Sequence, residues 1–400
     1  MTSLSRRELL KATAAGLLVG GGIPLINPRR AEAAPSISGT SGTWTHGGNV
    51  TISGSGFGAT GPVGGNLLLW DDFSDGVDGQ VLNVSPQVGS WTLDNRPSPV
   101  YDNAQSHGPG GLSSLGINVA GNHWSNFYVT FAQQTKLYQA FWFRWNYDGT
   151  SGQMKLSQIH GNDGGDFAPG IMTGALDLTG HGTGSEWWAS YRSTEGGICD
   201  IASRVSYIAN PGKNTWYLFE RILEQSTANA DCAATGNGRL EHIMTDGVSY
   251  WSQYLKTNIV TRENSANGWI EASFSHGMTN IQNTLNNWVA DAYLSATLAR
   301  VLIGNNATLG SSTVHREIQR CTAWADGSIT IVVNRGSFGA NDAAYLFVVD
   351  ESNVASSGFA ITFGAGAAGG GSRPAVSDRP LVPDRPPASD RPSVPGRPTL

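Results

Sequence analysis

The stretch from Leu137 to His160, LYQAFWFRWNYDGTSGQMKLSQIH, constrains the fold more than any other. In its first arm Phe141, Phe143 and Trp145 fall on one face and Trp142 and Arg144 on the other, because side chains in a strand repeat every two residues. Tyr147-Asp148-Gly149-Thr150-Ser151-Gly152 is turn chemistry, and a second arm puts Met154, Leu156, Gln158 and His160 on one face. The pattern predicts a hairpin of two strands with a packed back and a polar working front suited to a sugar. No long segment repeats with a 3.6-residue period. Charged residues are 14% of the chain, against about 25% in an average domain, and glycine reaches 52 of 400. These features predict an all-β protein with short strands.

Both ends differ from the middle. Ser5-Arg6-Arg7-Glu8-Leu9-Leu10-Lys11, an apolar run from Ala12 to Ile26 and Ala31-Glu32-Ala33 together resemble a twin-arginine export signal over residues 1–33. That run is too short and glycine-rich for a membrane span. Without residues 1–33, the 25 basic and 31 acidic residues lose five and two, which leaves a net charge of −9. An acidic chain with no basic cluster is no partner for nucleic acid. From 365 to 400 a glycine linker leads into Arg-Pro at 373, 379, 385, 391 and 397, a six-residue repeat that suits an extended rod and buries no core. It reads as a disordered spacer or as a tether to a cell wall or partner. Of three cysteines, Cys199 and Cys232 are the expected disulfide, which leaves Cys321 a buried thiol.

Pro35 to Pro62 carries Gly47-Gly48, Val50-Thr51-Ile52 and Gly54-Ser55-Gly56-Phe57-Gly58, and resembles the opening of the Ig-like domains called IPT/TIG. Residues 35–65 are too few to close a sandwich of about 100 residues. Chain of similar style resumes over 299–364, in Val301-Leu302-Ile303, Ile329-Thr330-Ile331 and Tyr345-Leu346-Phe347. The expectation is one discontinuous Ig-like domain, 35–65 plus 299–364, with residues 66–298 inserted into it.

Within 66–298, the strand Trp216-Tyr217-Leu218-Phe219-Glu220-Arg221, a later strand ending Asp246-Gly247 and a final strand holding Asp291 resemble a concanavalin A-like jelly roll, the fold of lectins, glucanases and several polysaccharide lyases. Gln158-Ile159-His160 resembles the Q-I-H strand of alginate-lyase-type enzymes. That resemblance implies a Gln holding the uronate carboxylate and a His taking the C5 proton. β-Elimination needs both, because a donor must offset the growing negative charge while a base accepts the proton. The family's R-x-E-L-R strand is absent, with Arg144 as substitute, and so is its closing Y-F-K-A-G-x-Y segment. Tyr191 is the candidate acid by context.

The expected substrate contacts are Trp142 and Trp187, by stacking on sugar rings, with Glu220 and His242 from strands of one sheet. The turn DDFSDGVDG misses the EF-hand pattern at Phe73. It reads as a hydrogen-bonded loop or, with Asp71, Asp75 and Asp291, as a structural calcium site. The chemistry requires no other cofactor. The sequence therefore predicts an exported protein that cleaves an acidic polysaccharide as a lyase, or binds one without catalysis as an adhesive surface protein.

Overall fold

The computed structural model describes residues 33–364 other than 94–97, 109–110, 119–120, 124–126, 148–152, 162–170, 178–185, 192–204, 210–211, 228–235, 260–267, 276 and 282–284. The expected disulfide of Cys199 and Cys232, the export signal apart from Ala33, and the Arg-Pro tail lie outside the described residues. Apart from two short 3-10 turns, the described regular elements are all strands. Among the described residues no helix is long and apolar enough to cross a membrane.

The chain is all-β, and its described strands form three sheets. An outer sheet runs Val205–Ala209, Glu186–Tyr191, Ile171–Asp177, Gln153–Gly161, Trp269–Ser275, Phe127–Gln134, Thr92–Leu93. A middle sheet runs Trp251–Ile259, Gly238–Thr245, Tyr217–Glu224, Lys136–Tyr147, Leu285–Ser295, Ser113–Asn118, Val100–Asp102, with Leu67–Asp71 also paired to Leu285–Ser295. Sequential strands change sheets: Phe127–Gln134 is outer, Lys136–Tyr147 middle and Gln153–Gly161 outer again. This is jelly-roll connectivity, and it corrects the expected hairpin. The two arms face each other across a core instead of pairing. Phe141, Phe143 and Trp145 from one arm meet Ile159 from the other there, with Ala272 and Phe274.

Polar groups also cross that core. The Gln139 side-chain amide donates to the Ser273 carbonyl at 3.0 Å and accepts from the Ser157 hydroxyl at 3.1 Å. The Arg221 guanidinium donates to the Ser157 carbonyl at 3.3 Å. Each such group, left unmade in the core, would cost about 1–3 kcal/mol.

The third sheet is seven-stranded and closes a smaller sandwich. Asn49–Ser55 pairs antiparallel with Ser328–Val332, from Asn49↔Val332 to Ser53↔Ser328, so strands before and after the jelly roll share one sheet. Arg316–Ala325 spans both halves of it. Its first residues pair with Arg300–Gly304 and its last with Ser328–Val332, with an irregularity between Cys321 and Ala323 where the sheet turns over. Val50, Ile52, Val301, Ile303, Ile331 and Leu346 then fill one core with the buried free thiol of Cys321.

The face of the middle sheet that points away from the jelly-roll core is covered as well. Tyr138, Ala140, Ile222 and Tyr293 pack against Leu302, Ile318, Phe347 and Val349 of the small sandwich. The middle sheet is therefore buried on both faces. Seven of the eight residues of Tyr217–Glu224 are buried, the near-continuous burial that a doubly covered strand requires.

Candidate functional site

Ser157 and Ile159 turn inward, while Gln158 and His160 alternate with them; Leu156, expected on the face of Gln158 and His160, is buried in the core cluster with Ile159. His160 lies directly across from Glu271 of Trp269–Ser275, and its Nδ1 is 3.0 Å from the Glu271 carboxylate. The two side chains are 25% and 24% exposed. A carboxylate on Nδ1 favours the tautomer with its proton there and makes Nε2, which is buried, the acceptor nitrogen. Two residues earlier, Gln158 is 3% exposed. Its backbone N–H donates to the Ser273 hydroxyl, while its side-chain Oε1 has no hydrogen-bond partner among the described residues. A buried amide with an unpaired oxygen, two residues from a carboxylate-held imidazole, is a polar arrangement that could meet a ligand.

The other sequence-derived candidates lie elsewhere. Arg144 belongs to the middle sheet, where its guanidinium lies 5.6 Å from the Trp288 ring; it shares no groove with His160. Trp142 is 2% exposed and donates its indole N–H to Glu317 of the small sandwich at 2.8 Å, so it stacks on no sugar. Glu220 is 1% exposed; it accepts from the Tyr138 hydroxyl at 2.6 Å and pairs with Arg316 at 3.3 Å across the seam. His242 pairs in register with Arg221 on the core side and is likewise buried, which holds its pKa well below the ordinary histidine value. Adjacent strands thus carry Glu220 and His242 on opposite faces. Trp187 and Tyr191 lie in Glu186–Tyr191, two strands from Gln153–Gly161, with the backbone of Tyr191 level with Ile171 and that of Ile171 level with Ile159.

The calcium trio does not assemble. Asp71 is fully buried, accepting from the Phe73 backbone at 2.8 Å and the Trp91 indole at 2.6 Å. Asp75 accepts from the Tyr101 hydroxyl at 3.3 Å. These are the bonds of a structured loop. Only Asp291 enters another kind of cluster. It has φ 52 at a bulge between Ala290 and Tyr293, a left-handed conformation that Asp tolerates better than most side chains. Its carboxylate lies 3.3 Å from Nδ1 of His107, and that ring stacks on Trp142 at 4.0 Å between centroids. Burial pushes the Asp291 pKa up; His107 opposes the shift, and the nearby Glu317 and Asp72 charges add to it.

Glu317 accepts from Trp142 through one oxygen; the other lies 2.9 Å from Nε2 of His315 and accepts the Ser337 backbone N–H. A narrow cleft bordered by His46, Asp72, His107, Asp291 and Asn334 opens beside these groups. Sequence reasoning missed this cluster because 184 positions separate His107 from Asp291 and no local spacing signals their contact.

No family model matches the chain, and no curated protein matches it. Solved structures similar to it include an alginate lyase of the PL-14 type from Aplysia kurodai, 10% identical over 49% of this chain and 86% of that one, with a TM-score of 0.37. An alginate lyase from Chlorella virus is 8% identical over 52% of this chain and 92% of that one, with a TM-score of 0.37. Lectin II from Ulex europaeus is 10% identical over 57% of this chain and 97% of that one, with a TM-score of 0.35.

Proposed function

We propose that the chain is an exported protein acting on an acidic polysaccharide, and that it works as a lyase through the outer face of the jelly roll. The observation that carries this reading is the His160–Glu271 pair, two residues along the same strand from the buried Gln158. The side-chain amide N–H of Gln158 would donate to the uronate carboxylate as negative charge spreads onto it. His160, its Nδ1 held by Glu271, would take the C5 proton through Nε2. The C4–O bond then breaks, and the departing oxygen takes a proton from a donor for which Tyr191 remains the candidate. Export follows from the twin-arginine pattern, and the Arg-Pro tail would serve as the tether.

The placement of Arg144 favours the second reading, a glycan-binding surface without turnover, because it removes the cation expected beside the substrate carboxylate. Ultraviolet absorbance of unsaturated uronate products on alginate and glucuronan separates the two. The lyase reading expects turnover that falls about 10²–10⁴-fold in His160→Ala, with a smaller loss in Glu271→Gln. Binding that survives His160→Ala and Gln158→Ala, with no product from the unaltered protein, would establish the lectin-like role instead.

A further inference from the structure

His107, Asp291 and Glu317 come from a loop, from the middle sheet and from the small sandwich, yet their ligand-capable atoms all lie within 4.8 Å of one another. All three residues are buried. Among the described residues the ion-pair partners of the two carboxylates are histidines alone, His107 for Asp291 and His315 for Glu317. Among the described residues no lysine or arginine pairs with either carboxylate. Two buried carboxylates this close, with only histidines beside them, are charges that the fold must meet with a cation or with protons.

We propose that His107, Asp291 and Glu317 bind a divalent cation of the zinc class at the seam between the jelly roll and the small sandwich. The spacing fits. Two ligands each about 2.0–2.1 Å from a tetrahedral zinc lie roughly 3.3 Å apart, and His107 Nδ1 is 3.3 Å from Asp291 Oδ2. One imidazole with two carboxylates suits zinc or manganese, whereas calcium takes six to eight oxygens.

The outer contacts are those of a supported ligand set. Trp142 donates to Glu317 and stacks on His107, so one indole orients two ligands. Gly336 is at φ +51, and a Cβ there would lie 2.0 Å from the Glu317 carboxyl carbon; only glycine leaves room for that side chain. The adjoining cleft, bordered by His46 and Asp72, leaves space for a fourth ligand such as water. The small sandwich supplies one ligand and the jelly roll two, so the ion would clamp the two modules together.

The test uses the full chain, prepared without a polyhistidine tag, stripped with a chelator and titrated calorimetrically with Zn²⁺, Mn²⁺ and Ca²⁺. The expected result is one Zn²⁺ per chain, a rise in Tm of about 5 °C at hundredfold excess over Kd, and tetrahedral d–d absorption when Co²⁺ replaces it. Affinity should fall at least tenfold in His107→Ala and in the near-isosteric Glu317→Gln and Asp291→Asn, which serve if His107→Ala fails to fold. Absence of Zn²⁺ binding by the unaltered protein would overturn the proposal. Binding equally tight in all folded variants would overturn it too, by placing the ion elsewhere. A preference for Ca²⁺ that is indifferent to His107→Ala would remove the zinc-class assignment. The outer-sheet chemistry of His160 does not enter this test.

Discussion

Asp71 shows how a single side chain sets a pH response. Burial pushes its pKa up to about 7, against the opposing hydrogen bonds from Trp91 and Phe73. In the unfolded chain the group titrates near 3.9. Between those values the folded protein holds a proton that the unfolded chain has released, so the stability linked to Asp71 is complete below about pH 4 and lost as pH rises through 7. Asp71→Asn should remove this dependence. In urea denaturation, the stability of the unaltered protein relative to the variant should improve as pH falls from 7 to 4, by at most about 1.4 kcal/mol per unit; a constant difference across that range would refute the assignment. His242 has the opposite slope. Its depressed pKa makes its contribution fade as pH falls below about 6.5. Neither environment was legible beforehand: Asp71 sits in an acidic turn that reads as solvated or calcium-bound, and only the Trp91 indole, twenty positions away, reveals it as internal.

At the scale of elements, the middle sheet decides the energetics, because both its faces are packed. Trp142, Tyr138 and Glu220 all point to the seam. Trp142→Ala should cost about 3–5 kcal/mol, as for a buried aromatic, where a solvent-facing sugar platform would cost little. Arg316→Ala leaves the Glu220 carboxylate buried without its charge partner and should cost about 3–5 kcal/mol, while replacing both with apolar residues of similar volume should recover most of the loss. Equilibrium denaturation of the two singles and the double closes that cycle. Strand positions and alternation were readable here: Trp216 to Arg221 and Gly238 to Gly247 do hold adjacent strands. What alternation cannot say is whether a strand's second face meets water or another layer.

For the whole molecule, the joining contact is the pairing of Asn49–Ser55 with Ser328–Val332. Deleting residues 299–364 removes that partner and uncovers the Tyr138–Tyr293 face of the jelly roll. Amide hydrogen exchange across Asn49–Ser55 should then lose its protection, and the truncated chain should aggregate through the exposed face. Protection that persists after the deletion would show that the early strands stand on their own.

The sequence by itself determined the all-β character and the inward position of Ile159 opposite the polar pair Gln158 and His160. Those properties are local: they depend on period-two alternation and on turn-forming residues that are neighbours in the chain. Tertiary structure alone decided that the two arms of Leu137–His160 part into different sheets, that Arg144 and His160 have no common groove, and that His107 meets Asp291 and Glu317. Each of those outcomes depends on which layer packs over a strand, and residues far away in the chain supply that layer.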